Sequence, residues 1–107
     1  MSESSPADLA VAFRSFPRRL GEALGSLAPD VRARATSHAD AVARELEAAA
    51  AALGLPGQGE PAAIAGALAD KIDAVRPDAW DDAKLKALRQ HALAIGASLR
   101  RISDLGG

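Results

Sequence analysis

The chain has no cysteine and no tyrosine, and only one tryptophan, one methionine and two phenylalanines. The lack of cysteine excludes disulfides, thiolate catalysis and cysteine-based zinc sites. There is no excess of charge either. Thirteen Lys and Arg stand against fourteen Asp and Glu, a formal net charge of −1, so no global field draws the protein to nucleic acid or to an anionic membrane surface. The halves do not differ: residues 1–55 carry six basic and seven acidic side chains, and residues 56–107 carry seven of each. No apolar run approaches the ~20 residues that span a bilayer. The opening stretch MSESSPADLA has no basic segment and no apolar one, so it does not read as a signal peptide. These absences lead to the expectation of a cytoplasmic protein without a membrane anchor.

What is present is alanine, about a quarter of all residues. Alanine is the best helix former and a poor strand former, and the β-branched and aromatic runs that a sheet needs are missing. The reading is all-α. A chain of 107 residues has the common size of one domain, so residues 1–107 are expected to form a single helical-bundle domain, with 1–5 as a flexible tail.

Ser5-Pro6 reads as an N-cap followed by proline at the first helical position. From there Leu9, Phe13, Phe16, Leu20, Leu24 and Leu27 recur at helical spacing on one face. Pro17 removes the bond to the Phe13 carbonyl, yet the stripe stays in phase across it. This predicts either a kinked helix or two short helices nearly in line, broken at Ser15 or Phe16. A second helix restarts at Pro29 or Asp30, with Val31, Ala35, Ala39, Val42, Leu46, Ala49 and Leu53 as its stripe. The run Ala48 to Ala52 falls inside this phase and is therefore helix, with Ala49 inward and Ala48 and Ala51 outward. Gly54 supplies the stop, and GLPGQGEP is a turn-rich connector.

The third helix begins near Glu60-Pro61, faces the core with Ile64, Leu68, Ile72 and Val75, and ends before Pro77. The last is expected to start at Asp78 as its cap. Its seam of Leu85, Leu88, Ala92, Ile95, Leu99 and Ile102 is an a/d pattern. Helices of roughly 21, 25, 15 and 26 residues with short connections predict an up-down antiparallel bundle of three long helices and one short one. Val11, Leu55, Leu93 and Leu105 lie beside the main stripes.

Motifs that carry chemistry are sparse. The glycine-rich connector has neither phosphate-binding pattern and follows no strand. His38 and His91, the two histidines, have no carboxylate at i±3 or i±4, so each would need an acid from another helix to act as a base or a metal ligand. No serine stands in a nucleophile-elbow context. The sequence therefore predicts a protein without catalytic residues, metal or cofactor.

Two basic runs stand out. Arg14, Arg18 and Arg19 have no acid between Leu9 and Gly21, and Lys84, Lys86, Arg89, Arg100 and Arg101 have none between Ala83 and Ser103. These are candidate anion-binding residues, although pairing of Lys84, Lys86 and Arg89 with Asp40, Glu45 or Glu47 is the plainer reading. Trp80 is either a lid on one end of the bundle or an anchor for a partner. Leu93, between Arg89 and Arg100, and Val11 are apolar residues without an evident place in the core.

The functional expectation is an interaction or assembly module that self-associates, a dimer being favoured, with Trp80, Leu93 and Val11 as interaction candidates and a further protein partner possible. The alternative is an anion- or nucleic-acid-binding bundle that uses the basic runs 14–19 and 84–101.

Overall fold

The computed structural model describes residues 5–57 and 59–106. They form an all-α bundle: α1 (Pro6–Gly25), α2 (Pro29–Arg34), α3 (Thr36–Ala52), α4 (Pro61–Ala74) and α5 (Asp82–Leu105), with a 3-10 turn at Pro77–Ala79 before α5. Of the expected tail at 1–5, residues 1–4 lie outside the described residues. Ser5 caps α1: its hydroxyl accepts from the Asp8 amide, and the Asp8 carboxylate accepts from the Ser5 amide. This reciprocal box satisfies two of the free donors at the helix start.

α1 is continuous through Pro17, without the break at Ser15 or Phe16 that the stripe also allowed. Leu9, Phe13 and Phe16 are buried, and the two phenylalanine rings meet edge to face at 5.5 Å. The second expected helix is divided. At Ala35 the amide bonds to the Arg32 carbonyl and ψ opens to −8°, so one turn tightens from i−4 to i−3 bonding. In the turn before it, the Arg32 guanidinium donates to the Leu24 and Leu27 carbonyls at 3.1 Å each. These two bonds tie α2 to the last turn of α1, at Leu24, and to the connector that follows it, at Leu27. Beyond Ala35, α3 packs along α5. Ala35 itself is buried with Leu27 and Ile102.

The alanine run ends as a helix ends. The Gly54 amide bonds to Ala51, the Leu55 amide bonds to Ala50, and Gly54 takes φ +73°, which is the glycine-closed C-terminal motif. Ala49 and Ala50 are buried, while Ala48 and Ala51 are exposed. α4 follows Glu60 and buries Ile64, Leu68 and Ile72.

The last helix starts later than expected. Asp78 lies in the 3-10 turn and pairs with Arg76 at 3.5 Å, and the cap is Asp81, whose carboxylate accepts from the Ala83 amide at 2.8 Å. Trp80 is extended, at ψ 131°, and packs half-buried against the core.

α1 packs against α4 and α5, and α3 packs against α5 and α4. α3 runs back along α5, with Ala35 beside Ile102 at one end and Glu45 at His91 further along. The C-terminal ends of α1 and α5 meet at that same pole, where a Cβ at Gly106 would come within 2.7 Å of the Leu27 side chain. No helix among the described residues is long and apolar enough to cross a membrane.

Candidate functional site: the groove between α1 and α5

α5 carries two stripes. The first, Leu88, Ile95, Leu99 and Ile102, is buried. The second, Arg89, Leu93, Gly96, Arg100 and Ser103, repeats the same spacing of 4 and 3 about a quarter-turn around the helix. α1 carries a matching second stripe at Ala12, Phe16, Arg19 and Ala23. These stripes line a groove of ≈ 910 Å³, to which Leu9, Ala92, Ala97 and Leu99 also contribute.

The groove exists because its floor is small. Ala12, Ala23, Ala92, Gly96 and Ala97 lie where larger side chains would have closed the space between the helices. A Cβ built on Gly96 meets nothing within 4 Å. Gly21 and Gly66 are equally open, so an open Cβ position marks space and is not by itself a sign of a ligand. The walls are apolar, and Leu93 stands on one of them with 74% of its surface exposed.

The rim is cationic. Arg19, Arg89 and Arg100 line the groove, and no Asp or Glu is among the described residues that do so. The Arg19 guanidinium lies 5.6 Å from the centre of the Phe16 ring, a cation–π contact that fixes its position over the groove wall. Ser103 is the one hydroxyl in the lining, with no histidine or carboxylate beside it in the lining to act as a base. The groove has the chemistry of binding: apolar area, small residues that admit a backbone, and positive charge at the edge.

Arg19, Arg89, Leu93 and Arg100 therefore come together. The other candidates stand elsewhere. Val11, 66% exposed, lies with Arg14, Ser15 and Arg18 around a shallow depression of ≈ 260 Å³ on another side of α1. Arg14 is engaged by Asp70 at 2.9 Å and Asp73 at 3.3 Å. Its hydrogen bonds to these two carboxylates raise its pKa above the ordinary arginine value. Arg18 lies 3.7 Å from Glu22 one turn on. Lys84, Lys86 and Arg101 are exposed on α5 outside the groove. Trp80 packs half-buried against the core, and its indole N–H is buried without an acceptor among the described residues. Of the four apolar residues beside the main stripes, Leu55 and Leu105 pack on the core clusters, which leaves Val11 and Leu93 outside.

Spacing alone did not foresee one polar contact. His91 Nδ1 lies 2.6 Å from the Glu45 carboxylate, half-buried between α3 and α5. The acid that His91 lacks on its own helix thus comes from α3, and Glu45 meets this histidine. His38 is half-buried near the start of α3. No cluster of three or more metal-ligating side chains occurs among the described residues.

The groove residues that the sequence concealed are the small ones. Ala12, Ala23, Gly96 and Ala97 have no hydropathy signal, and only the second stripe, read in phase with Arg89, Leu93 and Arg100, would have exposed them. No family model, curated protein or solved structure matches the chain.

Proposed function

We propose that the chain is a non-enzymatic helical-bundle interaction module, working in the cytoplasm without a cofactor, that takes a helix of a protein partner into the groove between α1 and α5. The observation that supports this most is the groove itself: an open apolar channel of ≈ 910 Å³ with small residues on its floor and Leu93 exposed on its wall. Helices dock into such channels through apolar residues spaced one turn apart.

The test uses a synthetic amphipathic helix of about 15 residues, with glutamine at its polar positions and Leu and Ala on one face. The wild-type chain should bind it with micromolar affinity. Gly96→Leu should abolish binding without unfolding the protein, because the added side chain enters open space. Absence of binding, or equal binding by Gly96→Leu, would remove the reading.

Self-association is the second reading, favoured by the exposure of both Val11 and Leu93. Two-fold pairing is the commonest way to cover such residues. Light scattering at high micromolar concentration decides it: a dimer that Leu93→Lys dissociates supports it, and a strict monomer excludes it. The anion-binding alternative has less support. Arg14 is already held by two carboxylates, and Phe16, the aromatic nearest the basic side chains, is buried and offers no stacking surface to a base.

A further inference from the structure

Resting on the groove reading above, we propose that the partner helix is acidic. It would be an amphipathic segment of about four turns that lays small and medium apolar residues over Gly96 and Ala97 and presents carboxylates to Arg19 and Arg100. Three observations converge on this occupant.

The first is length. The groove follows α1 from Leu9 to Ala23 and α5 from Arg89 to Ser103, about 21 Å on each helix at 1.5 Å per residue, which is the length of a helix of about 14 residues. The second is the floor. Alanine and glycine let a second backbone approach closely, whereas a flexible acyl chain gains nothing from a wide floor and would stay wet on the side where Leu93 is exposed. The third is charge. Cations stand on both sides, Arg19 on α1 and Arg100 on α5, and none of the described lining residues is acidic. An occupant with basic flanks is repelled from both edges, and one with acidic flanks is drawn to both. A second copy of this chain set groove against groove would bring the same arginines face to face.

The test compares three synthetic helices with one shared apolar face and with glutamate, glutamine or lysine at the flanking positions. Each is labelled and titrated with the full-length chain by fluorescence anisotropy. At about 0.15 M salt, the glutamate helix should bind about tenfold tighter than the glutamine helix, and the lysine helix should be weakest. The order should compress at about 0.5 M salt, where charges are screened within a few ångströms. The double variant Arg19→Gln/Arg100→Gln, at two exposed positions, should retain its helical circular dichroism. It should lose most of its preference for the glutamate helix over the glutamine helix, with binding of the glutamine helix unaffected.

Equal affinity for the glutamate and lysine helices would overturn the acidic partner while leaving the groove reading intact. No binding of any of the three would remove the groove reading itself. Displacement of the glutamate helix by a fatty acid, by anionic vesicles or by oligothymidylate at lower concentration than by unlabelled helix would assign the site to that ligand and overturn the proposal. So would a dimer that excludes the helix.

Discussion

Replacing Ala49 by leucine sets two large effects against each other. Ala49 lies in the core with no exposed surface. Leucine adds three carbons. Buried without strain at about 0.8 kcal/mol each, these would stabilise the fold by about 2 kcal/mol. The packing around the site decides the sign. Ala49 shares its core cluster with Ala50 on the same helix and with Ala65 and Ala69 on α4, all of them buried. Small residues at a contact let helices approach toward the lower end of the usual 8–10 Å separation, which would leave little room for a longer side chain. Overpacking should therefore win, with a net loss of about 1–3 kcal/mol. Urea unfolding reads this directly. With a slope of about 1–3 kcal/mol per molar, the midpoint should fall by roughly 1 M. Ala48→Leu and Ala51→Leu, at exposed positions of the same run, should stay within about 0.5 kcal/mol of wild type. A midpoint for Ala49→Leu equal to these controls, or higher than wild type, would refute the close packing of α3.

Pro17→Ala should stabilise the chain. It restores the donor that the continuous helix α1 lacks, a defect of about 3 kcal/mol in a helix interior, partly offset by lost ring packing and by about 0.4–1 kcal/mol of greater freedom in the unfolded chain. A rise in Tm confirms it, and a fall would show that the helix depends on a proline bend. Trp80→Phe should be neutral or stabilising, because it deletes a buried N–H that has no acceptor among the described residues, an arrangement that costs about 1–3 kcal/mol. Trp80→Ala should destabilise by loss of packing. A destabilised Trp80→Phe in calorimetry would show that the indole N–H is satisfied in solution. Arg32→Ala should free the end of α1 and its connector by removing the bonds to the Leu24 and Leu27 carbonyls, with faster amide exchange at Leu24 to Leu27. Unchanged exchange there would separate the break at Ala35 from this tie.

Much of the fold was legible because apolar spacing is a direct record of burial. Leu9, Phe13 and Phe16, Val42, Leu46 and Ala49, Ile64, Leu68 and Ile72, and Leu88, Ile95, Leu99 and Ile102 were each placed on an inward face by phase alone, and each is buried. Two boundaries were not legible. The break at Ala35 lies one turn from a side chain of α2 that bonds to the Leu24 and Leu27 carbonyls, a contact that local propensity does not encode. The cap of α5 is Asp81 and not Asp78, and two aspartates with similar capping ability cannot be ranked from local sequence. In the groove, the large and charged members stood out in the sequence: Arg19, Arg89, Leu93 and Arg100. The three arginines were grouped as anion-binding candidates and Leu93 as an interaction candidate, and the approach of α1 to α5 joins the two sets in one groove. The alanines and the glycine of the floor act through the space they leave, which no hydropathy pattern records.

The central claim, that the groove between α1 and α5 is a docking site for a helix, is tested most directly by amide chemical shifts of the 15N-labelled chain during titration with the unlabelled glutamate-flanked helix. The account predicts that the largest shifts fall on Ala12, Arg19 and Ala23 of α1 and on Ala92, Leu93, Gly96, Ala97 and Arg100 of α5, and that they vanish in Gly96→Leu. Shifts centred on α3 and α4, or no shifts at millimolar helix, would contradict it.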